Sequence, residues 1–456
     1  MNKRNRLMAA VGVVAGVAAV ATACSSPTSS APAGTPDAAA IAKGCDVGHN
    51  VTLNVGLSEA GDVIGTNFKN LTQEFEKQHP NVKVDVQAKD FASSLSTIKL
   101  VMSGDNPPDL MQGNSGWSID GALWKAHLIA NLDPYAQHYG WFDKFPDSAL
   151  VVNRFSADGK TLGEGNLVGL PQAIQYVGVF YNKRLLDQLG VTDPTTLDKA
   201  GLIASLDKAK AAGMTPVMLG DSDKWPALHN LSLFNGWYVP AAQINQWVFN
   251  RTGSNYDDAG HLKGSTDFQD WMANGYFNKD ALATSFSDAT ARFGKGEAPY
   301  FITGTWALGD VEKALGNDAG FMLFPAGASG THEAVGGYSL PWTMSTKSKN
   351  PACAGQLLDF ITTSSAAVDA QIASGRPSAT KAGADAQISD PLLTQMVQQY
   401  KKLSDDKGLF TWEDWPTPTM LQYMGSQAQL LLGGQLTPKA YNESIQKNWS
   451  DYMATR

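Results

Sequence analysis

Tryptophans placed beside carboxylates, amides and turn residues are the part of this chain best suited to chemistry. Trp412-Glu413-Asp414-Trp415-Pro416 sets two indoles around two carboxylates, Trp306 follows Thr303-Gly304-Thr305, Trp237 and Tyr238 follow Asn235-Gly236, and Trp117 follows Asn114-Ser115-Gly116. The 456 residues include 12 Trp and 13 Tyr, and many of these lie in polar, Gly- or Pro-bearing stretches rather than at helical core spacing. An indole face takes C–H groups, while a planar carboxylate, amide or guanidinium grips neighbouring hydroxyls. A saccharide presents both kinds of surface, hydroxyls around its rim and C–H groups on its faces. Any single tryptophan is as readily a half-buried packing residue, so the expectation rests on several together: Trp306, then Trp237, Trp415, Trp412 and Trp117, with Asp414 as the carboxylate between two of them. Trp124, Trp141, Trp225, Trp247, Trp271, Trp342 and Trp449 lack comparable surroundings.

Paired carboxylates amid aromatic residues could also cleave a glycosidic bond, and Glu413-Asp414 is the best such pair. Adjacent residues rarely face each other across a substrate, so no catalytic residue is assigned; an exported glycoside hydrolase remains the alternative. Nucleophile and metal motifs are missing: the chain has no Gly-x-Ser-x-Gly and no His-Glu-x-x-His, its seven histidines are scattered, and Arg154 stands where a phosphate loop ending at Gly159-Lys160-Thr161 needs glycine. No metal and no cofactor is expected. A formal net charge of −8 with no basic stripe argues against nucleic acid.

The elements that must hold these residues read as α/β. Val51, Leu53, Val55 and Leu57 alternate as in a strand, Phe68, Leu71 and Phe75 recur at helical spacing up to His79-Pro80, Val82, Val84 and Val86 alternate again, and a helix from about Ser93 to Ser103 ends at Gly104. Asp109-Leu110-Met111 could be a third strand. Strand, helix, strand, helix, strand specifies a parallel sheet with right-handed crossovers. Ligands of such sheets sit beyond the carboxyl ends of the strands. That rule selects the loops Ser58-Glu59-Ala60-Gly61-Asp62 and Gln112-Gly113-Asn114-Ser115-Gly116-Trp117, hence Glu59, Asp62, Gln112 and Asn114 as polar candidates.

At the N-terminus, Lys3, Arg4 and Arg6 precede an uncharged run from Leu7 to Ala23 that ends in Ala21-Thr22-Ala23-Cys24. This pattern predicts an export signal over 1–23. A cysteine directly after it resembles the lipobox of bacterial lipoproteins, so Cys24 is the expected lipidation site, with a Ser/Pro/Ala-rich tether completing 24–44. No second stretch is long and apolar enough to span a bilayer, which leaves the lipid as the only membrane attachment, on the outer face of the cytoplasmic membrane. Cys45 and Cys353 then remain in a chain that folds outside the reducing cytoplasm, where they could form a disulfide or stay as two buried thiols.

Further motifs run in a specific order. Gly169-Leu170-Pro171, Tyr176 and Tyr181-Asn182-Lys183 come first, then Phe293-Gly294-Lys295-Gly296-Glu297-Ala298 with Gly304-Thr305-Trp306, then Gly336-Gly337-Tyr338 before Ser345-Thr346-Lys347-Ser348, and finally Gly375-Arg376-Pro377. In that order they resemble the extracellular solute-binding proteins of bacterial ABC sugar importers, family 1 type and maltose-binding-protein-like. The resemblance implies a two-lobe α/β fold, each lobe a mainly parallel sheet flanked by helices, with three hinge crossings. It divides this chain into 45–171 plus 339–385 for lobe one and 176–335 plus 391–456 for lobe two, with hinges near 172–175, 336–340 and 376–390. It also adds Tyr176, Gln175, Tyr338, Gly337 and Arg376 to the candidate ligand-binding residues, although Arg376 could instead be a fork that bonds backbone at the hinge. The function implied is capture of a carbohydrate, an oligosaccharide by the number of aromatics, through lobe closure and delivery to permease subunits driven by a cytoplasmic ATPase. A monomer is expected, and the same fold with a non-sugar solute is a further alternative.

Overall fold

The computed structural model describes residues 36–59, 61–338 and 340–456, and for Asp62 the backbone alone. The export signal, Cys24 and most of the tether lie outside the described residues. All described residues fall in the unit Gly34–Arg456, which holds two main β-sheets.

The first sheet is built from β1 (Val51–Leu57), β2 (Val82–Ala88), β3 (Leu110–Gln112) and, much later in the chain, Trp342–Met344. β1 pairs in parallel with both β2 and β3, as right-handed strand–helix–strand crossovers require. The helix Asp62–Gln78 lies on this sheet through Phe68, Leu71 and Phe75, the residues with helical spacing in the sequence. Burying side chains of this size contributes about 1.5–3 kcal/mol each. Asp90 caps the next helix, Phe91–Ser103, by accepting from the Ser93 N–H, so the capped helix start sits at the carboxyl end of β2.

After a short hairpin, β4 (Arg154–Phe155) with β5 (Asn166–Leu167), the second sheet begins with the long β6 (Ile174–Asn182). It continues with β7 (Val217–Met218), β8 (Tyr300–Gly304), β9 (Ala319–Met322) and β10 (Ala334–Tyr338); β11 (Trp342–Met344) belongs to the first sheet, and β12 (Leu409–Phe410) closes the edge of the second. Here the expectation of mainly parallel sheets fails. β6 is antiparallel to β8, β9 and β10, and only β7–β8 and β10–β12 are parallel. β6 is buried along almost its whole length, so its stretch 176–181 shows no polar–apolar alternation to report direction.

The chain passes from the second sheet to the first between Tyr338 and Trp342. Beside this passage the Ile174 N–H donates to the Pro377 carbonyl, the Ala379 N–H donates to the Gln172 carbonyl, and Gly337 pairs with Gln175. Segments far apart in sequence therefore run side by side between the sheets. Gly337 has φ +124°, a backbone shape that residues with a Cβ rarely take.

Cys45 and Cys353 form a disulfide that joins the start of the folded body to the helix Pro351–Thr363. Among the described residues no helix is long and apolar enough to cross a membrane, and no group of three or more His, Cys, Asp or Glu side chains could hold a metal ion.

Candidate functional site

A cavity of about 600 Å³ opens between the loops of the two sheets. Trp225, Trp306, Trp412 and Trp415 wall it, with Phe91 and Phe286 alongside. The rings pack on each other: Trp225 lies 6.0 Å from Trp306, Trp306 lies 6.0 Å from Trp412, and Phe91 meets Trp225 edge-on at 5.6 Å. His229, one helical turn beyond Trp225, fills the gap between the indoles at 5.4 Å from Trp306 and 4.7 Å from Trp412. Burial pushes the His229 imidazole down to about 3, and its buried Nδ1 has no partner, so a neutral ring faces the indoles.

Glycine lets the aromatic groups approach backbone. A Cβ on Gly304 would fall 1.9 Å from the Trp306 ring, so this indole lies directly over the end of β8. Gly116, with φ +89°, gives Trp415 the same access, and the Trp117 N–H donates to the Trp415 carbonyl at 2.8 Å. Ser118 adds hydroxyl bonds to the carbonyls of Asp414 and Thr417. The loop after β3 thus holds the Trp412–Trp415 segment in place.

Glu59, at the end of β1, enters the cavity already held by three donors. Arg376 Nη1 reaches Oε2 at 2.7 Å, Gln112 Nε2 reaches Oε2 at 2.8 Å, and Gln175 Nε2 reaches Oε1 at 3.0 Å. Gln112 also accepts from the Ser58 N–H, so both ends of its amide are engaged behind the wall. Asn114 and Gln175 line the cavity, with the Asn114 N–H anchored on the buried Asp120 carboxylate.

Of the residues expected from sequence, the structure brings Trp306, Trp412, Trp415, Glu59, Asn114, Gln175 and Asp414 to this cavity. Others are placed elsewhere. Trp237 is 2% exposed in the core behind the second sheet, stacked on Phe324 at 4.4 Å with Nε1 donating to the Pro325 carbonyl. The Trp117 ring packs on Phe155 and under the Arg456 guanidinium, and only its backbone serves the site. Tyr176 is buried with its hydroxyl on the Met396 carbonyl. Tyr338 is buried among the residues around Tyr400, outside the lining. Arg376 and Gln112 stand one layer back, on Glu59, and Gly337 shapes backbone between the sheets. Asp62 starts its helix, and its side chain lies outside the description.

Sequence reasoning passed over Trp225, His229 and Phe91. Trp225 begins the helix Trp225–Gly236 just after β7, and Phe91 begins its helix just after β2, both positions that the strand-end rule selects. β7 is only two residues long, too short to show a period, so its loop was not recognised.

Glu413 and Asp414 point apart. Asp414 lines the cavity, whereas Glu413 turns into the second sheet's packing, accepting from Asn235 Nδ2 at 3.1 Å and lying 3.7 Å from His261 Nε2. The pair does not flank a common bond. His261 Nδ1 meets Asp258 Oδ2 at 2.9 Å, so the imidazole sits between two carboxylates. Burial pulls its pKa down, but the bonds and charges of Asp258 and Glu413 outweigh that and raise it above the ordinary value. The resulting stabilisation is complete below about pH 6.5 and is lost as pH rises through the folded value. The melting-temperature gap between the wild type and His261→Asn is expected to be widest near about pH 6 and to narrow in alkaline buffer, and calorimetry across that range measures it. A gap that stays constant or widens would remove the charged imidazole from this role.

Residues 61–368 match the family model described as bacterial extracellular solute-binding protein. The chain belongs to this family. Similar sequences include an ABC transporter extracellular-binding protein of Pyrococcus horikoshii, 25% identical over 65% of this chain and 64% of that protein, just under two thirds of its length. The multiple sugar-binding protein of Streptococcus mutans is 24% identical over 69% of this chain and 72% of its own. Among solved structures, a chitin oligosaccharide binding protein superposes with a TM-score of 0.76 at 20% identity, covering 89% of this chain and 99% of that one. The molecule therefore has the mixed α/β fold of the two-lobe solute-binding proteins, an extracellular binding family rather than an enzyme family.

Proposed function

We propose that this solute-binding protein captures a carbohydrate, an oligosaccharide of at least two rings, and hands it intact to the permease of an ABC importer. The observation that carries this reading is the wall of four indoles around a cavity of about 600 Å³ that also offers carboxylate and amide groups. Flat apolar faces beside planar hydrogen-bonding groups match the two surfaces of a sugar ring, and the volume lies in the range of small-molecule sites. The sugar-binding relative in Streptococcus mutans and the chitin oligosaccharide binding protein support the same class.

In this reading residues 45–171 with 339–385 and residues 176–335 with 391–456 form two lobes that close on the ligand, hinging near 172–175, 336–340 and 376–390. The closed form docks on the two membrane subunits, whose cytoplasmic ATPase drives uptake. Cys24 carries the lipid that keeps the exported protein at the membrane, and the binding unit works as a monomer.

Calorimetry of the folded body against neutral and amino saccharides, peptides and polyamines, with product analysis in parallel, tests the proposal. Heat with a saccharide and no cleavage is the expected result; silence from every saccharide, or turnover, would overturn it. Trp306→Ala is expected to weaken the bound saccharide by about thirtyfold or more, the scale of a stacking hot spot. The melting temperature of the empty protein is expected to fall by only a few degrees, because this indole is half-buried. A large loss of stability without loss of affinity would assign Trp306 to packing.

A further inference from the structure

We infer that the saccharide taken by this cavity carries a basic nitrogen, and that Asp414, set between Trp412 and Trp415, is the carboxylate that receives the ammonium. The inference rests on the reading of the cavity as a saccharide site and narrows it to amino sugars.

Its charge pattern is the first argument. The acids in the lining are Glu59, Asp90, Asp310 and Asp414, and the base is Lys313. Glu59 has Arg376 on it, and Asp90 accepts from the Ser93 N–H at a helix start. Asp414 differs from these. It is 6% exposed, and among the described residues its carboxylate meets no cation and no side-chain donor. The neighbouring carboxylate, Glu413, adds negative charge from behind, held there by Asn235 and His261. A buried carboxylate without a cation is costly, which is why such groups are paired or hold a proton. Burial, and then the charge of Glu413, push Asp414 up to about 7 against the pull of its own N–H.

The second argument is what surrounds that carboxyl. Trp412 and Trp415 flank it in sequence and, with Trp306, line the same space, and an indole attracts an ammonium held over its face within about 6 Å of the ring. His229 adds no competing charge, because burial keeps its imidazole neutral. An ammonium entering here replaces the proton on Asp414: the O–H proton leaves to solvent, the carboxylate forms, and the ammonium N–H donates to it. A hydroxyl or an acetamide leaves the carboxyl protonated.

Glucose, N-acetylglucosamine and glucosamine β-1,4 oligosaccharides of two and three rings differ only in the group at carbon 2, so titration calorimetry with the three series tests the inference. At about pH 6, where the sugar amine is charged, the glucosamine series is expected to bind about tenfold or more tighter than the glucose series. Repeating the titration in buffers of different ionisation enthalpy is expected to show release of up to about one proton with the glucosamine series and none with the other two. Asp414→Asn is expected to bring the ratio of the two affinities to about one and to abolish the proton release. Equal or tighter binding of the glucose or N-acetylglucosamine series, a preference for amine that survives Asp414→Asn, or no proton release from the wild type would overturn the inference. So would a neutral saccharide of another linkage binding when no amino sugar does, an outcome that leaves the saccharide reading intact. Only silence from every saccharide defeats both.

Discussion

Arg376→Ala is expected to destabilise the protein by about 3–5 kcal/mol, the cost of leaving a buried carboxylate without its cation. The Arg376 side chain is 3% exposed and that of Glu59 is 9% exposed, so water cannot take the place of the guanidinium. Gln112 and Gln175 would still donate to Glu59, but two neutral amides do not balance a charge in a low-dielectric site. The remedy is to remove the charge as well. Glu59→Gln together with Arg376→Met is expected to recover most of the loss, because a neutral pair of similar volume has no desolvation debt. Urea or thermal melts of the two single variants and the double variant measure the coupling. Additive losses, with no recovery in the double variant, would show that each side chain acts through packing alone. The arrangement also bears on ligand capture. Glu59 comes from the first sheet, Gln175 from β6 of the second, and Arg376 from the segment beside them, so one carboxylate gathers donors from chain segments that run between the sheets.

The sequence leaves Arg376 as either a ligand contact or a fork on backbone carbonyls, and its bond partner is instead the Glu59 side chain, which spacing could not show. The same contrast explains what the chain made legible. β1, the helix after it and β2 were readable because one face of each is buried and the other exposed, which leaves a period in the residues. β6 is buried nearly throughout and β7 spans two residues, so neither direction nor existence could be read from spacing. For the site, Trp306 and Trp415 were recognisable because a nearby glycine or proline keeps them out of helix interiors, and Trp412 because two carboxylates follow it. Trp237 has the same local context, Asn235-Gly236, yet its ring points into a cluster of Phe234, Trp271 and Phe324 that was assembled from distant segments. Local composition marks where an indole is set down, and long-range packing decides which way it faces. Trp225 is the converse: its sequence looks like an ordinary helix start, and it becomes a cavity wall through packing on Phe91, Phe286 and Trp306 from distant segments.

Removing the disulfide, by Cys45→Ser with Cys353→Ser, is expected to cost about 3–5 kcal/mol in stability while leaving saccharide affinity unchanged within about twofold. The two cysteines are 308 residues apart, and cross-linking so long a stretch removes a large loop-closure entropy from the unfolded chain. The folded state loses less. The Cys45 N–H still donates to Gln356 Oε1, and Ile41 remains buried where the first described helix packs on Pro351–Thr363. Since the disulfide fastens the first turn of the body to that helix and neither cysteine lines the cavity, breaking it loosens an edge of the molecule and not the indole wall. Denaturant melts of oxidised and reduced wild type alongside the double variant, each paired with a titration, separate the two quantities. A fall in affinity matching the fall in stability would mean that the cavity depends on the tied N-terminal segment, whereas unchanged stability would mean that the unfolded chain is already compact enough for the link to restrict nothing.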